Sequence, residues 1–193
     1  KINIIDTPGY DDFVGEVVSA LKVADTGVMT LNAQHGVEVG TELIWEYTEK
    51  FQTPMIFVVN QLDHEKANFD ETVDQAKERF GNEVTVVQYP LNAGTGFNAI
   101  IDVLKMVMYK FPNDGGKPEK MDIPESEQGQ AAELHEQLVE AIAEYDDDLM
   151  EAYFENGHLS EEEMTRGLRL SMLHHKVFPL FCCSAERNMG SGR

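Results

Sequence analysis

Three short turns in this 193-residue chain hold the residue types that could do chemistry. Asp6-Thr-Pro-Gly9 sets a carboxylate three residues before a glycine, the pieces for a hydrated cation and a phosphate oxygen. Asn60-Gln-Leu-Asp63 sets an amide and a carboxylate on one turn. A carboxylate in Asp63's place can accept from guanine N1 and N2 together. Adenine lacks that donor pair, so Asp63 would select guanine. The Asn60 side chain would brace the loop and reach toward the base N7. Ser184-Ala185 adds a third turn, with a backbone amide free to donate.

Each turn directly follows an apolar run, and those runs would position it. Ile2, Ile4 and Ile5 suit a buried strand ahead of Asp6. Pro54–Asn60 and Val177–Cys182 read as strands ahead of the other two turns, and Gly27–Ala33 as a further buried strand. Helices alternate with them. Asp11 and Asp12 could cap one whose apolar face is Phe13, Val14, Val17, Val18 and Leu21. Residues 37–51 and 68–80 are helical by periodicity, and Gly81 ends the second. Strands apolar on both faces, alternating with helices, predict a mostly parallel sheet with flanking helices. Ligands bind where such strands end.

The rhythm changes after Gly81. Residues 83–91 read as a strand, and 97–111 fit either a helix or a strand. Acidic helices follow, one with Leu134, Leu138, Ile142 and Tyr145 inward. Another opens at Ser160 with Glu163 three residues on, a capping box. Residues 84–160 therefore read as an inserted α+β subdomain, between a first part at 1–83 and a last part at 161–193.

Formal charge is −20, from 15 basic and 35 acidic residues. Residues 119–163 hold 16 acids and the single base Lys120, so phosphate-rich RNA would be repelled there. A solvated surface or a docking face for a basic protein would suit this segment. No run is long enough to span a membrane, and no signal peptide is visible. The two adjacent cysteines, Cys182 and Cys183, are expected to be reduced core thiols of a cytoplasmic protein. No phosphate-cradling G-x-x-x-x-G-K-[ST] occurs, although one is expected upstream of the Asp6 turn. With no Met before Lys1, the chain is expected to be an excised piece of a longer protein.

In order, Asp6-x-x-Gly9, Asn60-x-x-Asp63, an insertion and Ser184-Ala185 resemble the translational GTPases. Gln88-Tyr-Pro-Leu91, Phe97–Asp102, Tyr145–Met150 and Ser160–Met164 are similar to the subdomain inserted in the GTPase domain of the elongation factor G family. The resemblance covers essentially the whole chain. It implies a partial Ras-like P-loop GTPase fold with an inserted α+β subdomain, and a strand within 97–111. It implies that Asp6 holds magnesium through a water and that Gly9 meets the terminal phosphate. Asn60, Gln61, Asp63, Ser184 and Ala185 would contact the nucleotide, with the Ala185 turn at guanine O6. GTP or GDP and magnesium would be the cofactors of the intact protein, and none is expected on this chain alone. The implied partners are the ribosome, with the stalk protein docking on the acidic insertion, and no direct RNA or membrane contact. Release-factor-three-like and tetracycline-protection-like ribosomal GTPases share the pattern, and a non-catalytic stalk-docking module is the reading from another class.

Two positions depart from that family. Tyr10 follows Gly9 where the family carries the His that orients the attacking water. A phenol is larger, titrates near pH 10 and mimics imidazole poorly. Gln61 replaces the Lys whose stem lies along the guanine face, keeping some stem and losing the charge. Other clusters carry less. His174-His175 lacks a third ligand at metal spacing, and Asp146-Asp147-Asp148 lacks a calcium-loop pattern.

Overall fold

The computed structural model describes residues 1–112 and 116–191. Four strands form a parallel sheet: β1 (Gly27–Asn32), β2 (Met55–Asn60), β3 (Val84–Val86) and β8 (Phe178–Cys182). Their order is β1-β2-β8-β3, so the last strand of the chain returns between β2 and β3. Helices α1 (Val14–Leu21), α2 (Val39–Phe51) and α3 (Phe69–Phe80) flank it, α2 and α3 making the crossovers that follow β1 and β2. Parallel neighbours require such long connections, because a hairpin cannot join them.

One face of the sheet packs on aromatic side chains. The Trp45 ring of α2 lies 5.7 Å from Phe57, 4.9 Å from Phe80 and 5.0 Å from Phe178, centroid to centroid. Those partners sit on β2, α3 and β8, so one indole ties three elements together. Asn68 caps α3 by accepting from the Glu71 amide. Asp70 and Glu71 in its first turn, with Lys77 and Arg79 in its last, match the helix dipole.

The second sheet is antiparallel: β4 (Gln88–Pro90), β5 (Ala99–Asp102), β6 (Val107–Lys110) and β7 (Glu119–Met121), in that order. Val87 links the sheets. Its amide donates to Leu180 O of the first, and its carbonyl accepts from Val103 N beside the second. The strand expected across 83–91 therefore splits in two. Val84–Val86 belongs to the parallel sheet, and the second sheet begins at Gln88. Segment 97–111, ambiguous by periodicity, holds two strands joined at a turn. Asp102 Oδ1 accepts from the Lys105 amide there, and Met106 sits at φ +50°.

Three acidic helices complete this region: α4 (Gln128–Ala143), α5 (Asp147–Asn156) and α6 (Glu161–Leu173). The capping box at Ser160 and Glu163 is present. Gly167 lets α6 come close, since a Cβ there would lie 2.7 Å from Leu149 Cδ1. Leu138 and Ile142 are buried, but Tyr145 lies beyond α4 and is exposed.

Three expectations change near the start of the chain. Residues 2–5 are not a buried strand: Ile2 is 90% and Ile4 is 89% exposed. Among the described residues nothing pairs with them, and an apolar run without a neighbouring strand has no ladder to join. Helix α1 starts later than an Asp cap would set it. Its N-cap is Phe13, with no side-chain cap, and Phe13 is exposed. Strand β1 is buried on one face only. Met29 and Leu31 point into the core, while Val28 is 63% exposed. The aromatic cluster lies on the side of Phe57, and Val28 pairs with Ile56 on the other.

Candidate nucleotide-binding site

Parallel strands end together, so their C-terminal turns meet at one edge. Asn32 of β1 is in register with Asn60 of β2, and Val59 with Cys182 of β8. Main-chain bonds carry the alignment past the strands: Ala33 N to Asn60 O at 2.9 Å, and Cys183 N to Val59 O at 2.9 Å. Leu62 is fully buried beneath the Asn60–Asp63 turn, and its carbonyl accepts from Gly94 N at 2.7 Å. The second sheet's first loop thus supports the turn from behind.

Asn60 joins two of the three turns. Its Oδ1 accepts from the Ala185 amide at 3.0 Å and from the Cys183 thiol at 3.4 Å. The expected brace is therefore a bond to the Ser184-Ala185 turn, and it engages the amide that would face a base O6. That turn is closed on itself. Ser184 N donates to Met189 O and Met189 N to Ser184 O, both at 2.9 Å. Ser184 Oγ also accepts from Arg187 N at 3.3 Å. Gly190 completes it at φ +83°, with no room for a side chain.

Gln61 adopts φ +65°, a left-handed conformation, which sends the chain sharply round after β2. Asn32 Nδ2 donates to Gln61 Oε1 at 3.1 Å. Asp63 Oδ2 lies 3.2 Å from Arg187 Nε. Its side chain is only 14% exposed, although the turn is at the surface. Burial pushes the Cys183 thiol up to about 11, with a further push from the nearby Asp63 carboxylate. Cys183 is thus a neutral donor to Asn60 at physiological pH.

Sequence reasoning does not find Asn32, Arg187 or Gly190. Asn32 has a signal, because it ends an apolar strand as Asn60 does. Arg187 and Gly190 have none, since a charge and a glycine in a turn are commonplace.

The Asp6 turn stands apart from this cluster. Asp6 Oδ1 accepts from the adjacent Thr7 amide at 3.0 Å, and Asp6, Gly9 and Tyr10 are all exposed. Among the described residues no hydrogen bond or ion pair joins them to Asn60, Asp63 or Ala185. Among those residues, too, no group of three His, Cys, Asp or Glu side chains could hold a metal ion. Magnesium is held in nucleotide sites by one or two carboxylates together with phosphates. Asp6 alone fits such an ion only when a nucleotide brings the remaining ligands. The adjoining turns offer groups of the kind guanine needs: a carboxylate, an amide side chain and a main-chain N–H, the last given to Asn60 in this structure.

The sequence pattern of the family described as the elongation factor Tu GTP binding domain matches residues 1–192. A protein named elongation factor G from Mycoplasma pneumoniae (strain ATCC 29342 / M129 / Subtype 1) is 38% identical over 98% of this chain and 28% of its own length. A crystal structure of a Thermus thermophilus protein superposes with a TM-score of 0.85 at 29% identity, covering 96% of this chain and 27% of that one. The chain thus spans about a quarter of the length of the relatives it matches. With the match running through all three turns and both sheets, the chain belongs to the elongation factor Tu GTP-binding domain family.

Proposed function

We propose that this chain is the guanine-reading part, with its inserted subdomain, of an elongation factor G-like translational GTPase acting on the ribosome in translocation. The observation that carries the reading is the cluster of Asn60, Asp63 and Ala185 where β2 and β8 end. Asp63 would accept from guanine N1 and N2, and Ala185 N–H, given to Asn60 in this structure, would turn to O6 when the base arrives, leaving the Cys183 thiol to hold Asn60 to the second turn. Gln61 would lie along the base face, held by Asn32. Ser184, fully buried, would fix the turn rather than touch the base. Asp6 and Gly9 would serve magnesium and the terminal phosphate of GTP. The boundary expected after residue 83 moves, because Val84–Val86 lies in the parallel sheet: residues 1–87 and 161–193 would form the GTPase part and 88–160 the insertion.

Hydrolysis would be weak, because Tyr10 stands where the family's His orients water. On its own the chain would bind GTP or GDP poorly, since the base side and the Gly9 amide give the phosphates little. The acidic insertion would dock the ribosomal stalk protein in the cytoplasm, away from RNA and membranes. Among the described residues, no helix is long and apolar enough to cross a membrane.

The test is equilibrium binding of GDP and ADP to the intact protein and to its Asp63→Ala variant. A hydrogen bond to a charged group contributes about 1.5–3 kcal/mol, so the variant should lose guanine affinity by roughly 10- to 150-fold. Equal affinity of the wild type for GDP and ADP, or an unaffected variant, would refute the reading.

A further inference from the structure

The carboxylate that should read guanine already has a partner. Arg187 Nε lies 3.2 Å from Asp63 Oδ2. A guanidinium presents planar N–H donors, as the N1–H and N2–H edge of guanine does. Both are cationic or polar N–H groups that a carboxylate attracts, and the Arg187 contact with Asp63 is an ion pair. Arg187 is not on a loose loop. Its own amide donates to Ser184 Oγ, and the turn is closed by the paired Ser184 and Met189 bonds. The Asn188 amide adds a bond to Ala185 O at 3.1 Å. The Arg187 backbone is therefore fixed within side-chain reach of Asp63 whether or not a base is present.

On the base-site reading above, we infer that Arg187 is an internal stand-in for guanine. It occupies Asp63 in the empty site, and an arriving base must displace it. Leaving Asp63 unpaired beside buried Leu62 and Cys183 would be costly, and Arg187 removes that cost from the empty state alone. It thereby lowers guanine affinity and speeds nucleotide release. Adenine has no donor pair to give Asp63 in exchange, so it cannot complete the replacement.

Release of fluorescent GDP from the intact protein, chased with unlabelled GDP, tests this in wild type and Arg187→Ala. Partly exposed ion pairs contribute about 0.2–1 kcal/mol, so release should slow by roughly 1.4- to 5-fold in the variant. GMP affinity should rise by the same factor, because the effect belongs to the base. Faster release, or a loss of affinity that grows from GMP to GDP, would show that Arg187 braces the site or attracts phosphate, and would overturn the inference. The pair itself is read separately, by 15N NMR of arginine-labelled, nucleotide-free protein. A protected Arg187 Nε–H signal that disappears in Asp63→Ala and on adding GDP supports the inference; its absence from the nucleotide-free wild type overturns it. Failure of wild type to bind GDP would instead refute the base-site reading, with the NMR result still deciding the Arg187–Asp63 contact.

Discussion

Replacing Gly190 by alanine should damage the Ser184 turn far more than its single added methyl group implies. A Cβ at that position would stand 2.6 Å from Cys182 O, 2.8 Å from Ile100 Cδ1 and 3.1 Å from Cys183 Cβ. The Ile100 methyl can swing aside, but the Cys182 carbonyl belongs to β8 and cannot. A residue with a Cβ at φ +83° also costs about 1–2 kcal/mol in backbone strain. Overpacking a filled interior adds about 1–3 kcal/mol. The expected loss is thus about 2–5 kcal/mol, unless the turn moves. The turn is the softer partner, so the strain should also loosen Ala185 from Asn60 and Arg187 from Asp63. Urea denaturation of wild type, Gly190→Ala and Gly129→Ala measures this. Gly129 lies in the first turn of α4, where a Cβ would meet nothing within 4 Å, so that variant should be neutral or slightly stabilised. A Gly190→Ala midpoint indistinguishable from wild type would refute the steric argument.

Further outcomes concern other parts of the chain. Asp146 caps α5 by accepting from Asp148 N and Leu149 N, and pairs with Arg166 at 2.7 Å, so Asp146→Ala should cost about 0.5–2 kcal/mol at neutral pH. Burial pushes that carboxyl up, but the Arg166 bond and the two amides outweigh it and hold it below the usual range. The stabilisation is then complete above the unfolded value near 3.9 and is lost as pH falls through the folded value. Thermal melts of the two proteins should converge in strong acid, and a gap that persists there would contradict this. Cys182 and Cys183 are both buried, with thiols pushed up chiefly by that burial, so a thiol reagent at about pH 8 should label them slowly until the chain is unfolded. Prompt labelling of folded protein would count against their placement. In the intact protein Tyr10→His should raise single-turnover GTP hydrolysis on ribosomes by on the order of 10²–10⁴-fold, and no gain would mark Tyr10 as a tolerated substitution.

What the sequence reveals about this site follows from how each residue acts. Asn60, Asp63 and Ala185 are legible because their partners are set by strand order, and apolar runs announce strands. Segment 97–111 is not, because Ile100, Leu104 and Met108 satisfy a helix while the alternating residues satisfy a strand. The Asp102 bond to Lys105 N and the left-handed Met106 turn the chain back there, and neither has a periodic signature. Ile2–Ile5 fails in the opposite direction. Its pattern is that of a strand, yet a strand exists only beside another, and the described chain supplies no neighbour. Arg187 is invisible for a third reason. Its role depends on the distance from Asp63, far earlier in the chain, and on a turn whose closure requires Gly190. A carboxylate at a surface turn must be either hydrated or paired. At 14% exposure Asp63 is only partly hydrated, and the Arg187 guanidinium 3.2 Å away supplies the pairing that water does not complete.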